Sequence, residues 1–427
     1  MRISRYREFH CAAPAPGVRL FALRTDRYKT VSVRAFLCEP LRKLDATRNA
    51  LLAYVLRAGS ETHPTRRDIA RALEELWGAT AGVGVTRFGD VQAVTAGAEF
   101  PADRFLPKGA RDLDGVLALL SGMLLRPALD PSRSALRADV MAQESSQLHN
   151  DLVAQRDDKP SWAAWLAAQR VYAGTPGAIH EQGSLEDLPR VTNRSLLLRH
   201  RLLLRNANVF LFVTGPVTPE HGLAALARHF SWRRKGGPRL PAPAPLKARA
   251  RIQRAQVKEK SEQVHLISAW TGAPLYGRPG FAAALYADGI LGGFSFSRMF
   301  KVVREEHGLA YAVSSAVQRN RGVLFTQAAV DPAKAGKAAK LIRAEFNRLA
   351  KDGFTREEFE NCRDSLIEAR RSAWDSPSAR VRDCVLQAVM GFVQDTESQL
   401  CEIRAVRPAQ VMAVLRKLRP HTEFRYG

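Results

Sequence analysis

Hydrophobic and polar positions along this chain follow two alternating regimes, and the regimes recur in the same order twice. A strand opens each repeat, over Thr30–Leu37 and again over Gln263–Trp270. An alanine- and leucine-rich stretch with helical spacing follows each strand, over Ala46–Ala58 and Pro279–Leu291. Next comes a helix that stops on glycine, Leu73–Gly78 in one case and Val303–Gly308 in the other. Glycine suits such a stop because it enters the left-handed conformation without a Cβ clash. Thr65 and Asp68 supply an N-cap for the first of these helices. Apolar runs around glycine-containing turns then predict hairpins, Val83–Glu99 turning at 87–90 and Ala312–Val330 turning at 319–322. Helices over Asp112–Leu125 and Pro332–Ala350 come next, followed by long helices starting near Pro131 and Thr355. Thr355 and Glu358 form a capping-box pattern. The expected class is α+β, with helices packed on a mainly antiparallel sheet, repeated twice.

The stretch Trp232–Arg251 is rich in proline, glycine and basic residues. It cannot continue a helix or a central strand, and it predicts an extended linker at 233–251 between domains 1–232 and 252–427. The 427 residues, 46% hydrophobic and 25% charged, suffice for a large core. No stretch approaches the roughly 18 apolar residues of a membrane span. Leu196–Leu204 comes nearest and is broken by Arg199, His200 and Arg201. Met1–Pro16 lacks the apolar segment of a signal peptide, so a cytoplasmic protein is expected. Cys11, Cys38, Cys362, Cys384 and Cys401 are scattered without a C-x-x-C pair, which predicts buried free thiols. The net charge of +23 would suit a nucleic-acid partner. The basic residues are spread along the whole chain, however, with no stacking or groove-reading motif, and this argues for compositional bias over a nucleic-acid function.

Helical zinc-peptidase sites need two histidines one turn apart and a glutamate base. None of the ten histidines lies four residues from another, so H-E-x-x-H and H-x-x-E-H are absent. No G-x-S-x-G elbow or P-loop occurs either. Trp162, Trp165 and Tyr172 follow helical spacing and read as core. Two segments carry a resemblance. Leu291–Tyr311 contains a glycine-rich stretch and R-E-E-H-G-L-A-Y, and Gly183–Leu188 reads G-S-L-E-D-L. Both are similar to signatures of the M16 (insulinase/pitrilysin/mitochondrial-processing-peptidase-like) peptidases, the first in that family's C-terminal half and the second late in its N-terminal half. The resemblance covers nearly the whole chain and implies two homologous halves with the LuxS/MPP-like metallohydrolase fold, facing each other as a clamshell.

Active M16 members carry H-x-x-E-H on the first helix, followed by a glycine and a small hydroxyl residue. Matching Gly59 and Ser60 to that pair puts Ala50, Ala53 and Tyr54 at the first-histidine, glutamate and second-histidine positions. Asp151 falls near the family's third ligand, a glutamate. The resemblance therefore implies no metal or other cofactor in this chain and zinc only in a partner chain. Tyr28-Lys-Thr30, Ala46–Gly59 and Leu73–Ala79 further resemble the zinc-less bacterial YfmF-type subgroup. Its members accompany a zinc-bearing relative and are associated with 5-aminopentanol modification of elongation factor P.

Active members also use an arginine and a tyrosine seven residues apart in the C-terminal half, and Arg304 and Tyr311 match that spacing. Gly289, Gly292 and Gly293 serve either close approach of a substrate backbone or tight turning and packing. His307 reads as a cap-side residue at a helix end. The expected function is a non-catalytic subunit that pairs with a zinc-bearing M16 homologue, or with itself, and helps bind a peptide or protein substrate. The alternatives are a clamshell peptide-binding or chaperone-like module without proteolysis and, behind it, a basic nucleic-acid binder.

Overall fold

The computed structural model describes residues 3–107, 112–232 and 234–427. They form two compact units, each α+β. The first unit comprises Met1–Ala154, Ile179–Pro241 and Pro377–Val389. The second comprises Gln155–Ala178, Ala242–Ser376 and Met390–Gly427.

The first unit is built on a seven-stranded sheet of β1 (Ser4–Tyr6), β2 (Phe9–Ala12), β3 (Val18–Arg24), β4 (Thr30–Pro40), β5 (Thr80–Phe88), β6 (Val91–Pro101) and β7 (Asn208–Gly215), in the order β1-β2-β3-β7-β4-β6-β5. All pairs are antiparallel except β3 with β7. The second unit has β8 (Gln253–Val257), β9 (Val264–Thr271), β10 (Ala310–Gln318), β11 (Val323–Val330) and β12 (Arg419–Tyr426), in the order β10-β11-β9-β12-β8. Here β12 with β8 is the parallel pair. The two orders correspond strand for strand: β5, β6, β4, β7, β3 in one unit and β10, β11, β9, β12, β8 in the other. The repeat anticipated from the pattern is thus a repeat of topology. The expected strands and hairpins form, while β3, β8, β7 and β12 complete each sheet without having been anticipated.

The helices predicted from capping begin where their caps dictate. Thr65 accepts from the Asp68 N–H ahead of the helix Arg66–Glu75, and Thr355 accepts from the Glu358 N–H ahead of Arg356–Ser372. The helix expected near Pro131 starts later, at Ala138. Asp130 holds the intervening turn by accepting from the backbone of Ser134 and Ala135. Among the described residues, no helix is long and apolar enough to cross a membrane.

The central strands of each sheet are buried on both faces, and this shapes the division into units. In β7 every residue after Asn208 is buried. Val209, Leu211 and Val213 join the core beneath the helices Lys43–Ala58, Leu113–Leu125, Asn193–Asn206 and Pro219–His229. Phe210 and Phe212 point the other way, where Phe21 stacks on Phe212 at 4.5 Å between ring centres. That second face is covered by the helix Pro377–Met390, through Val381, Cys384, Val385 and Val389. Their spacing makes one apolar helix stripe. In the second unit one sheet face packs under Phe281–Asp288, Ala335–Asp352 and Pro408–Lys417. The other face, with Ile267, Phe424 and Tyr426, is covered by the helix Lys159–Val171.

Each covering helix comes from the opposite half of the sequence. The consecutive spans 1–232 and 252–427 therefore differ from the compact units by an exchange of one segment each, 377–389 and 155–178. The physical reason is that a sheet hydrophobic on both faces needs a second layer. On the helix Lys159–Val171 the fully buried stripe is Ala163, Ala167 and Val171, whose small side chains let helix and sheet approach closely. Tyr172 is core as expected, whereas Trp162 and Trp165 are half-buried flanks. Of the expected linker 233–251, position 233 lies outside the described residues. The rest has no helix or strand, and the boundary between the units falls within it at Pro241/Ala242. All five cysteines are free; Cys38, Cys362 and Cys384 are buried as expected, Cys11 is half-buried, and Cys401 is exposed because it lies on the outward side of its helix.

If the second layer is required, a fragment of residues 1–241 will expose the face around Phe21, Phe36 and Phe212. It is expected to aggregate or bind hydrophobic dyes, and fusion of residues 377–390 to its C-terminus should restore cooperative unfolding. A soluble fragment 1–241 that unfolds cooperatively would contradict this.

Candidate functional site

The helix Lys43–Ala58 crosses the first sheet with ten of its residues buried. Ala50 and Ala53 are 0% and 1% exposed and are part of the main core. Tyr54, one residue on, is half-buried, and its hydroxyl donates a hydrogen bond to the carboxylate Oδ2 of Asp151 on the helix Ala138–Ala154. Gln147 Nε2 donates to the other Asp151 oxygen at 2.8 Å. The Arg57 guanidinium lies 3.8 Å from the Tyr54 ring centre. Two positions singled out 97 residues apart are thus in direct contact. Burial pushes the Tyr54 phenol up to about 12, and the hydrogen bond to Asp151 and its charge add to this against the opposing charge of Arg57.

A zinc ion does not fit these residues. Ala50 and Ala53 offer no donor atom and are enclosed by core. The one carboxylate is engaged by two neutral donors. Glu144, two turns before Asp151, is 1% exposed and bound through both oxygens by Arg66, at 2.6 and 2.7 Å. Among the described residues, no three His, Cys, Asp or Glu side chains are grouped to hold a metal ion.

The G-S-L-E-D-L segment has a packing role that its sequence did not reveal. Gly183 adopts φ +79°, and a Cβ there would sit 2.1 Å from Thr47 Oγ1 and 2.4 Å from its Cα. The Ser184 N–H donates to Thr47 Oγ1 at 3.1 Å. The loop is therefore clasped to the same helix that carries Tyr54, and only glycine permits so close an approach.

In the second unit the helix Phe281–Asp288 widens into a π-helical turn at Gly289–Gly293, and a second π-helical segment spans Met299–Glu306. Such insertions change which side chains share a face and recur at functional sites. The glycines are mostly packing devices. A Cβ at Gly289 would meet Cys362 Sγ at 2.5 Å, and one at Gly292 would meet the Ser315 nitrogen and hydroxyl at 2.9 Å. Gly293 is exposed. Arg304 is exposed on the second π-helical segment, with its guanidinium 4.6 Å from the Phe300 ring centre. His307 and Gly308 end that segment; Gly308 has φ +54°, and Leu309 donates back to the Val303 carbonyl at 2.9 Å. The chain then enters β10, an edge strand. Its pairing with β11 slips between Ala310 and Ala312, so Tyr311 occupies a β-bulge. Bulges redirect side chains, and Tyr311 is 62% exposed. Among the described residues, no hydrogen bond or ring contact joins Arg304 to Tyr311.

Sequence reasoning missed Asp288 and Ser315. The Ser315 hydroxyl on β10 hydrogen-bonds the carboxylate and carbonyl of Asp288, fastening the edge strand to the π-helical turn. Burial raises the Asp288 carboxyl to about 6, partly offset by hydrogen bonds from Ser315 and the Val317 backbone. A lone acid inside the apolar run Phe281–Leu291 was the available signal.

Two outcomes follow. Histidines introduced together at Ala50 and Tyr54 should leave zinc affinity absent in calorimetric titration and lower stability by about 1–3 kcal/mol, because the core around Ala50 is closed. A stoichiometric zinc site in that variant would refute the closed geometry. For Asp288 the folded value lies above the ordinary 3.8, so its contribution to stability is present below about pH 4 and is lost as pH rises through about 6. Denaturant unfolding should show this decline in the native chain and a flatter profile in Asp288→Asn; identical profiles would exclude it.

Comparison with known proteins agrees with this geometry. The family profile described as "Peptidase M16 inactive domain" matches residues 190–366. The "Probable inactive metalloprotease YmfF" of Bacillus subtilis is 25% identical over 344 residues, 80% of each chain. A conserved protein of Enterococcus faecalis superimposes with a TM-score of 0.88 at 23% identity, covering 98% of both chains. The structure of a peptidase M16 inactive domain from Pseudomonas fluorescens does so at 0.78 and 20%, again over 98% of both. With its own glycine-rich and R-E-E-H-G-L-A-Y segments set in that fold, the chain is similar to inactive-type M16 peptidase homologues, and residues 190–366 match that family's inactive-domain profile.

Proposed function

We propose that this chain is the non-catalytic subunit of an M16-type peptidase, which pairs with a zinc-bearing homologue and helps hold its peptide substrate. The observation that carries the reading is the contrast between the two units. The first has its metal-ligand positions converted to core and to the Tyr54–Asp151 hydrogen bond. The second keeps an arginine and a tyrosine exposed, on a π-helical segment and a β-bulge. Peptide hydrolysis develops negative charge on the carbonyl oxygen, and donors aimed at it lower the barrier. Arginine holds its charge at every relevant pH and tyrosine supplies a hydroxyl donor. A zinc-bearing partner supplies the metal chemistry; this chain supplies donors and binding surface.

The edge strand β5 supports a substrate-holding role. It ends the first sheet and packs beside the helix Lys43–Ala58. A side chain at its Gly82 would meet nothing within 4 Å, and one at Gly84 would meet only Thr95 Oγ1, so the strand's surface is open at both glycines. Unpaired strand groups of this kind accept an extended peptide as an added strand. The resemblance to the YfmF-type subgroup makes the system that modifies elongation factor P the first place to seek the partner.

Mixing the chain with a zinc-bearing M16 homologue from the same genome should yield chelator-sensitive peptidase activity that neither chain shows alone. Arg304→Ala and Tyr311→Phe should each lower kcat by about 10²–10³-fold without weakening the association. Chelator-sensitive hydrolysis by the isolated chain would refute the proposal. A complex that is fully active with both substitutions would instead favour a peptide-binding module without a part in the reaction.

A further inference from the structure

The apolar run Leu196–Leu204, too short and too interrupted for a membrane span, carries a surface that the peptidase reading does not use. It lies within the helix Asn193–Asn206. Leu196, Leu197, Arg199, His200 and Leu203 face the core. The opposite side exposes Arg194, Leu198, Arg201, Leu202 and Arg205. These sit at helical spacing and form one continuous stripe. Leu198 is 56% and Leu202 39% exposed, although both are large apolar residues.

The stripe borders a cleft of about 620 Å³ into which Leu198 and Leu202 project beside Arg42 and Lys235. The acids of this cleft are already neutralised: Glu39 by the buried Arg199 and Asp45 by Arg48 at 3.4 Å. Arg42, Arg194, Arg201, Arg205 and Lys235 have no ion pair among the described residues. Arg42 also faces the Glu39 charge, so four uncompensated cations, with Arg42 beside them, lie around two exposed leucines and a concavity large enough for a side chain.

We propose that this surface docks an acidic segment of a partner protein, with one apolar side chain of that segment seated in the cleft against Leu198 and Leu202. Charge complementarity selects the occupant, and the cleft supplies the anchor. A membrane surface fits less well, because an interfacial helix presents a broad apolar face whereas here most apolar positions face the core. Single-stranded nucleic acid would require aromatic stacking platforms, and the cleft lining contains none. The surface lies at the start of the helix Lys43–Ala58, whose far end carries Tyr54, and the proposal is independent of the role assigned to Arg304 and Tyr311.

The test uses fluorescence anisotropy with the full chain and a short fluorescein-labelled glutamate-rich peptide bearing one central leucine. Saturable binding is expected. It should weaken by about tenfold in Arg194→Glu/Arg201→Glu, in Leu198→Ser/Leu202→Ser, and when the peptide leucine is replaced by serine. Both protein variants alter exposed positions and should keep the native thermal unfolding profile. Absence of saturable binding, or binding that neither variant changes, would overturn the proposal. So would phosphatidylserine vesicles that displace the peptide and are themselves held through Arg194, Arg201, Leu198 and Leu202.

Discussion

The burial of both faces of the central strands in each sheet is the constraint on which the rest of this structure depends. A strand such as β7 alternates Val209, Leu211 and Val213 with Phe210 and Phe212, so neither face can be left to water. The chain meets this need by exchange. The helix Pro377–Met390 covers the first sheet, and the helix Lys159–Val171 covers the second. Burying an aromatic or large aliphatic side chain is worth about 1.5–3 kcal/mol, so the face around Phe21, Phe36, Phe210 and Phe212 is a large share of the first unit's stability. Polar contacts fix the exchanged helix as well. Arg7 reaches Asp383 at 3.1 Å with its side chain 1% exposed, and Arg380 approaches Glu8 at 3.5 Å. Neither half of the sequence can complete its own core.

Within these matching sheet topologies, the two candidate sites differ in opposite ways. In the first unit the positions that the sequence resemblance matches to metal ligands are taken up by packing and hydrogen bonding. Ala50 and Ala53 add to the core, and Asp151, which would otherwise be an unpaired carboxylate in a partly buried place, is satisfied by Tyr54 and Gln147. In the second unit, local irregularity persists where packing alone would not require it. Two π-helical segments and a β-bulge interrupt otherwise regular elements, and between them they present Arg304 and Tyr311 to solvent. Departures of this kind from local regularity concentrate at functional sites. Asp288 and Ser315 hold the irregular turn and the edge strand together.

Much of this was legible in the residues. The opening segments of the two repeats located β4 and β9, capping pairs located the starts of two helices, and glycine-bearing turns located both hairpins. The family resemblance singled out Tyr54 and Asp151 separately, and their hydrogen bond is a feature of the fold. What was not legible depended on long-range pairing. The strand β8 is short, β3 and β8 are flanked by charge, and β7 and β12 follow helices with no turn signal that marks their sheet position. The exchange of helices leaves no local trace, because an apolar stripe does not state which sheet it will cover. The alanine stripe of Lys159–Val171 was masked by its more conspicuous tryptophans. The role of Gly183 against Thr47 could not be read from a motif alone, since the constraint is a backbone approach between segments far apart in sequence.

Native mass spectrometry, after mixing the chain with a zinc-bearing homologue, tests most directly whether the metal chemistry of this M16-type system resides outside this chain. The predicted result is a one-to-one complex carrying a single zinc ion, with the isolated chain free of metal. An isolated chain carrying stoichiometric zinc would contradict the claim.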